Sequence, residues 1–286
     1  MFFELTHKTR YTYNGPVFLE PHTIRLRPRG DGSQRLIRFD MQIEPKPAGI
    51  SECIDPEGNC ITNTWFNGLT NSLVVTSFFT IETLRSNPFD YIITDPSALT
   101  LPMTYSDKLK PRLASYYSRP MSDKSVSLFA ESIASEVKNQ TLEFLSALNQ
   151  RIYETCKLTI REKGDPEPPE VTLALRRGSC RDLAVLFIDA CRAVGIAARF
   201  VSGYQEGDPD QKKRYLHAWA EVYLTAGGWR GYDPTHGLVV SDRHVAVAAS
   251  MIPQCAAPII GTCRGTGKTS ILHSDINIRA YNGICQ

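Results

Sequence analysis

The chain has 286 residues, of which 42% are hydrophobic and 22% are charged, and this length suffices for one large domain or two modest ones. Its formal net charge of +2 gives little electrostatic attraction to nucleic acid or to a membrane surface, so the sequence predicts neither as a partner. The chain does not open with a charged segment followed by a sustained apolar run, and it has no stretch of about 18 apolar residues. We therefore expect a cytoplasmic protein.

The first 95 residues are predicted to form a β-rich domain. Stretches rich in β-branched and aromatic residues, such as Phe2 to Tyr13 and Leu73 to Leu84, alternate with turn signals at Asn14-Gly15-Pro16 and Gly30-Asp31-Gly32. Short strands at this spacing indicate a sandwich or a barrel-like module. One cluster of basic residues is more typical of the solvated side of a hairpin than of a nucleic-acid surface, because the near-neutral chain gives no wider basic field. It consists of Arg25, Arg27, Arg29, Arg35 and Arg38.

A second domain is predicted over residues 96–286. Asn87-Pro88 and Asp95-Pro96 interrupt both hydrophobic periodicities and mark the boundary. Amphipathic helices are then predicted over Asp123 to Lys138 and Leu142 to Leu158, followed by a charged, proline-bearing loop from Arg161 to Glu170. Helices first and strands afterwards indicate an α+β fold for this domain.

The stretch from Gly178 to Asp182 places a cysteine where a loop becomes a helix. Ser179, followed three residues later by Asp182, has the pattern of an N-terminal capping pair. Cys180 would therefore lie at or beside the first helical position, where free backbone N–H groups and the helix dipole favour an anion. Such a position can lower the pKa of a thiol from about 8.5 to roughly 3.5–7.5, and the thiolate is the nucleophilic form. The alternative interpretation is a small buried residue that happens to begin a helix. Apolar residues recur at helical spacing after it, at Leu183, Phe187, Ala190 and Val194.

A predicted hairpin carries a histidine and an aspartate toward one end. Its first strand begins at His217, Ala226-Gly227-Gly228 is the turn signal, and its second strand ends at Asp233 before a proline. A thiolate near an imidazole that a carboxylate orients is the arrangement of acyl-transfer enzymes. A tight turn would set Asp233 opposite Ala220 or Glu221, so contact with His217 requires a bulge, a strong twist or a wider loop. Glu221 shares the strand face of His217 and is the alternative carboxylate.

These residues, in this order, resemble the bacterial transglutaminase-like superfamily, whose members are often described as cysteine proteases. The resemblance spans nearly the whole chain and includes the β-rich N-terminal region that accompanies such cores. In the second domain it rests on Gly178 to Asp182, Arg192 to Tyr204, His217-Ala218-Trp219 and Asp233-Pro234-Thr235. In the N-terminal region it rests on His7 to Tyr13 and His22 to Arg29.

The resemblance implies a papain-like transglutaminase core, with helices packed on an antiparallel sheet, after the β-rich domain. It assigns Cys180 as the nucleophile, His217 as the base and Asp233 as the orienting carboxylate. The reaction that it implies is acyl transfer or hydrolysis of protein or peptide amides through a thioester, with no metal and no organic cofactor. One stretch departs from the family. Where many relatives carry a Gly-Arg-Asp-Tyr run, this chain has Ser250-Met251-Ile252-Pro253, with Cys255 and Cys263 nearby, and the substrate-facing loop is therefore not assigned.

Four further side chains are candidates for the substrate pocket: Tyr204, Trp219, Trp229 and Glu221. The tryptophans flank the proposed site and Tyr204 ends the preceding strand, although core packing is the default interpretation of these aromatic residues. Among the other histidines, His236 follows Asp233 by three residues and is interpreted as a polar loop residue that could line the cleft. The remaining histidines have no partner spacing and are interpreted as structural: His7, His22, His244 and His273.

The eight cysteines include no Cys-x-x-Cys pair and no Cys/His spacing that suits zinc. Without an export signal, we expect most of them to be reduced thiols. Cys191 falls in the same predicted helix as Cys180, near its apolar stripe, and is interpreted as a packing residue.

Two functions stay open from sequence. The first is a cysteine enzyme with the triad above, and hydrolysis and cross-linking are not separated because the outcome depends on whether water or a second amine enters the site. The second is a protein-binding or scaffold module that docks through its β-rich half and has a dispensable or inactive triad.

Overall fold

The N-terminal region forms one curled antiparallel sheet. The computed structural model describes residues 1–119, 123–207 and 213–283, and five strands of this sheet come from the first 83 residues. Their order is β2-β5-β1-β4-β3, which confirms the prediction of a β-rich N-terminal region, although the sheet is neither a closed barrel nor a two-sheet sandwich. The five strands are β1 (Phe2–Ile24), β2 (Gln34–Glu44), β3 (Gly49–Ile54), β4 (Cys60–Trp65) and β5 (Leu69–Thr83).

Five helices and two very short strands follow. The helices predicted over 123–138 and 142–158 are present with slightly shorter bounds, and within the described residues no helix is both long and apolar enough to span a membrane. The helices are α1 (Lys110–Tyr117), α2 (Lys124–Glu136), α3 (Thr141–Thr155), α4 (Pro169–Leu175) and α5 (Cys180–Ala193). The short strands β6 (Lys157–Leu158) and β7 (Arg177–Gly178) pair in parallel just before α5.

A second antiparallel sheet lies against α5. Its order is β11-β10-β9-β8-β12, and Leu183, Phe187 and Ala190 of α5 are buried in the core between the helices and this sheet. Helices packed on one face of an antiparallel sheet are the predicted α+β arrangement. The strands are β8 (Ala198–Gln205), β9 (His217–Leu224), β10 (Gly228–Asp233), β11 (Leu238–Val239) and β12 (His244–Ser250).

The last two strands return to the N-terminal sheet. The division into 1–95 and 96–286 stays a prediction, and two strands of its second part, β13 (Ile259–Arg264) and β14 (Ser270–Tyr281), both pair with β1. The physical reason is the length of β1. From Phe2 to Thr12 its one edge is bonded to β5, which leaves its other edge for β14. Unpaired backbone groups along a strand this long would otherwise need another partner.

Two buried amide side chains join the N-terminal sheet to the second sheet. Asn59 donates to the carbonyl of Ala249 and accepts from its backbone N–H, both at 2.8 Å. Gln34 does the same to Ala246, at 2.7 and 2.9 Å. Both contacts fall on β12, which is the edge strand of its sheet. The amides therefore satisfy backbone groups that a neighbouring strand would satisfy in the middle of a sheet.

We predict that Asn59→Leu destabilises the protein by about 2–4 kcal/mol, because it leaves two backbone groups of Ala249 buried without partners. Urea unfolding followed by circular dichroism measures the change. Asn277→Leu, at an exposed position of β14, is the matched control and should change the free energy of unfolding by no more than about 0.5 kcal/mol. Equal stability of the two variants would show that the amide contributes nothing at this edge.

Candidate active site

The proposed nucleophile is the first residue of α5. Asp182 Oδ2 accepts hydrogen bonds from the backbone N–H and the hydroxyl of Ser179, both at 2.7 Å, so the predicted capping pair is present. Gly178 has no room for a side chain, since a Cβ there would lie 2.8 Å from the Cβ of Asp182. Cys180 is partly exposed, and its N–H belongs to the first turn, whose donors have no carbonyl partner within the helix. The local sequence thus presents a thiol beside free N–H donors.

Asp182 also ties the preceding loop to the start of the helix. Its second oxygen accepts the backbone N–H of Glu167 at 2.8 Å and a guanidinium N–H of Arg161. Burial alone would raise the pKa of Asp182, but the hydrogen bonds from Glu167 and Ser179 and the charge of Arg161 hold it below its usual value. The predicted loop before the nucleophile is therefore fixed by one ionised carboxylate.

The hairpin register explains how Asp233 reaches His217. Leu224 pairs with Gly228 across a three-residue turn, and the last registered pair joins Tyr232 to Ala220. Continuing this register sets Asp233 opposite Trp219, which is two residues from His217 on the same strand face. Diagonal neighbours on one face lie within reach of long side chains. The wider loop, one of the three possibilities named from sequence, therefore supplies the required offset.

The structure brings the three predicted catalytic residues together. His217 Nε2 lies 2.7 Å from Asp233 Oδ2, and Cys180 is close enough to the imidazole to raise its pKa. Because Nε2 faces Asp233, the ring atom that remains for the sulfur is Nδ1. The imidazole is thus placed between the thiol and the carboxylate, as the nucleophile–base–orienter arrangement requires.

The electrostatics of the site favour a protonated imidazole. Burial lowers the pKa of His217, but the charge and hydrogen bond of Asp233, together with the hydrogen bond and charge of Cys180, raise it to about 10. Burial raises the pKa of Asp233, whereas the charge and hydrogen bond of His217 and the hydrogen bonds of His236 and His244 hold it well below its usual range. Near neutral pH the site therefore holds an imidazolium beside a carboxylate.

Two more histidines contact the same carboxylate oxygen. His236 Nδ1 lies 2.8 Å and His244 Nε2 lies 3.2 Å from Asp233 Oδ2, while Oδ1 accepts the backbone N–H of Thr235 at 3.0 Å. The side chain of His244 is buried and that of His236 is 39% exposed. The donor atoms of His217, Asp233 and His236 all lie within 4.8 Å of one another, close enough to hold a metal ion. The hydrogen bonds already account for this proximity, and the proton on His217 would have to leave before a metal could bind.

The four candidate pocket residues occupy different places. Trp219 is buried beside the triad, with its ring centroid 6.1 Å from that of His217 and 5.3 Å from that of His244. Tyr204 lies between the two sheets, where its hydroxyl is 2.7 Å from His7 Nδ1. The structure therefore brings Trp219 to the triad and places Tyr204 in the inter-sheet core.

Glu221 and Trp229 lie further along the hairpin, away from the histidines. Glu221 forms an ion pair with Arg199 at 2.6 Å, and the same guanidinium lies 4.1 Å from the centroid of the Trp229 ring. The carboxylate that contacts His217 is thus Asp233 and not Glu221.

The other cysteines differ from Cys180 in their surroundings. Seven of the eight fall in the part of the chain that the structure describes, and all seven are free thiols. Cys191 is fully buried, and burial raises its pKa well above the usual value, consistent with a packing residue. Cys53, Cys255 and Cys263 are exposed.

The contact of His244 with Asp233 was not found from sequence. His244 begins β12, which is separated from β10 by β8 and β9 in the sheet, so no short spacing links the two residues. The only local signal is that both lie at strand ends. His236 was recognised as a possible cleft residue, and the structure places it on Asp233.

Two family models match the chain. Residues 128–234, which contain Cys180, His217 and Asp233, match the transglutaminase-like superfamily core. Residues 3–82 match the bacterial transglutaminase-like N-terminal region. The two matches correspond to the helices and hairpin that carry the site and to the curled N-terminal sheet.

Individual relatives agree with these matches. An uncharacterized protein of Mycobacterium tuberculosis is 26% identical over 296 residues, which is 98% of this chain and 93% of that protein. A protein-glutamine gamma-glutamyltransferase of Pseudomonas aeruginosa is 31% identical over 120 residues, but these represent 37% of this chain and 18% of that protein.

A solved structure from Cytophaga hutchinsonii shows the same fold. That protein, named "Putative Cysteine Protease", superposes with a TM-score of 0.73 over 99% of this chain and 92% of its own, at 20% identity. The two family matches, over residues 128–234 and 3–82, together show that this chain belongs to the transglutaminase-like superfamily.

Proposed function

We propose that the protein is a cysteine enzyme that acts on protein or peptide amides through a thioester, by acyl transfer or by hydrolysis. The observation that carries the proposal is the buried His217–Asp233 pair, at 2.7 Å, with the Cys180 thiol at the start of a helix close enough to raise the pKa of His217. Thiolate, imidazolium and helix N–H groups supply a nucleophile, a proton and an oxyanion donor. The proposed chemistry therefore needs neither a metal nor an organic cofactor.

In the first half of the proposed reaction, the Cys180 thiolate adds to the carbonyl carbon of the amide. The carbonyl oxygen becomes an oxyanion, which accepts a hydrogen bond from the backbone N–H of Cys180. When this intermediate collapses, the C–N bond breaks and His217 gives its proton to the departing amine. A thioester on Cys180 and a neutral imidazole, still held by Asp233, are left in the site.

In the second half, water or a primary amine attacks the thioester carbon. Neutral His217 accepts the proton of the attacking group, and cleavage of the C–S bond returns the thiolate. Water gives a carboxylic acid and an amine gives a new amide. The same three residues therefore serve hydrolysis and cross-linking, and the group admitted in the second half decides the product.

Thiol reactivity provides the first test. We expect Cys180 to be the fastest thiol to react with iodoacetamide at a pH of about 5–6, because it lies at the start of a helix beside a protonated imidazole, the setting in which cysteines are most reactive. Peptide mass spectrometry identifies the labelled residue. Cys180→Ala should abolish the fast phase, whereas Cys255→Ala, at an exposed cysteine outside the site, should keep it. A slow Cys180 in the native protein would favour the scaffold function, and a fast Cys191 or Cys255 would contradict the assignment.

A second test separates the two reaction outcomes. The purified protein is incubated with a peptide library, with and without a primary amine, and the products are read by mass. We expect Cys180-dependent products in at least one condition: acids or cleaved peptides with water alone, and amine adducts when the amine competes. Products that persist in the Cys180→Ala protein would come from another source.

We predict that Asp233→Asn lowers the pKa of His217 from about 10 toward its ordinary value of about 6.5. The reason is that the charge of Asp233 is removed while burial, which lowers the pKa, persists. Titration of labelled histidine by NMR measures the shift, and we expect turnover to fall by about 10⁴-fold, as in the analogous serine triad. Glu221→Gln is the matched control, because Glu221 binds Arg199 instead of the imidazole. An equal response of both variants would refute the assignment of the orienter.

A further inference from the structure

One carboxylate oxygen serves three imidazoles from three parts of the fold. Asp233 Oδ2 is approached by His217 from the start of β9, by His236 from the loop after β10 and by His244 from the start of β12. A triad requires only the first of these contacts. The other two histidines are not used by the mechanism above.

The charge of Asp233 determines which nitrogen of each of these two histidines carries a proton. Asp233 is ionised, so its oxygens only accept, and each imidazole must present an N–H toward Oδ2. His236 therefore carries a proton on Nδ1 and His244 carries one on Nε2. Both are donors to the carboxylate that orients His217.

The orientation of His244 is maintained at a cost. Its Nδ1 is buried and has no hydrogen-bond partner among the described residues, and an unsatisfied buried polar atom is unfavourable. The groups that face His244 are Asp233, His217, His236 and the edge of the Trp219 ring. The hydrogen bond between His244 Nε2 and Asp233 compensates for the cost of leaving Nδ1 without a partner.

Sharing one oxygen among three donors has a chemical consequence. Each additional N–H spreads the negative charge of Asp233, so less of that charge acts on the proton of His217. If Asp233 were not shared, its full charge would raise the pKa of the His217 imidazolium further. A general acid works best when its pKa is near the operating pH, so the higher pKa would slow the proton transfer.

We propose that His236 and His244 are positioning residues, which hold Asp233 Oδ2 toward His217 and, by sharing its charge, ease the transfer of the His217 proton to the leaving amine. This inference rests on the proposed function. It assigns to both histidines a role that acts through Asp233, without contact with the substrate.

Paired substitutions test the proposal. His236→Ala and His244→Leu remove the donors, whereas His236→Asn and His244→Gln place an amide N–H near the position of the lost imidazole N–H. His273→Ala, at an exposed histidine on β14, is the control. Two quantities are measured for each variant: the titration midpoint of His217 by NMR, and the rate of peptide turnover. The rates of Cys180 and Cys255 alkylation by iodoacetamide are measured in the wild-type protein.

We expect the donor-removing variants to raise the His217 midpoint by about one pH unit and to slow peptide turnover by roughly tenfold, and the amide variants to restore both in large part. The His273→Ala protein should match the wild type. A merely structural role would lower turnover without moving the midpoint. Because His244 is buried and His244→Leu risks misfolding, the partly exposed His236 gives an independent pair of variants.

The outcomes separate this inference from the function on which it rests. A midpoint that is unchanged or lowered in both donor-removing variants overturns the proposal, as does an equal shift in His236→Ala and His236→Asn, which would make loss of the imidazole itself the cause. Failure of wild-type Cys180 to react faster than Cys255 would instead overturn the proposed function. The NMR midpoints need no substrate, so they decide the role of the histidines in either case.

Discussion

A carboxylate with no access to water must be stabilised entirely by its neighbours, and Asp233 is such a group. The idealised cost of moving an ion of this size into a dry interior is on the order of 20 kcal/mol, although relaxation reduces it to several kcal/mol. Three imidazole N–H groups and one backbone N–H offset that cost here. The charge is therefore kept in the one place from which it can act on His217.

The support of this carboxylate extends through both sheets. The three-residue turn of the β9–β10 hairpin sets the register that brings Asp233 onto the face of His217. His244 arrives on β12, whose edge is bonded by the side chains of Asn59 and Gln34 from the N-terminal sheet. The curled N-terminal sheet thus contributes to the geometry of the site. Its contribution is indirect, because the hydrogen bond of His217 to Asp233 and its ring contacts among the described residues are with members of the second sheet and its loops.

Sequence reasoning succeeded where the determining interactions are local. The capping pair around Cys180 spans four residues, and the amphipathic helices show their period within one segment, so both could be predicted. The histidine–aspartate contact was foreseen from the hairpin, but its register depended on loop width, which residue types alone did not fix.

What sequence could not supply depends on contacts between distant segments. His244 meets Asp233 across an intervening pair of strands, and β14 meets β1 across most of the chain. Tyr204 illustrates the same limit, because its place between the sheets follows from the partner that covers β8. In each case a spacing pattern was absent, since the neighbours are brought together by packing of whole elements.

The return of β14 to β1 has a consequence for how the molecule assembles. Phe2 pairs with Tyr281, so this pairing closes a loop that contains both the helices and the second sheet. Closing so long a loop from a disordered chain is entropically unfavourable and slow, whereas prior ordering of the intervening helices and second sheet shortens the flexible chain that remains to be closed. We therefore expect helices α1–α5 and the second sheet to become ordered first, and the strands of the N-terminal sheet to pair last. A molecule arrested before that final step would already hold Asp233 among its three histidines, but the edge of β12 would lack the hydrogen bonds that Asn59 and Gln34 make from the N-terminal sheet.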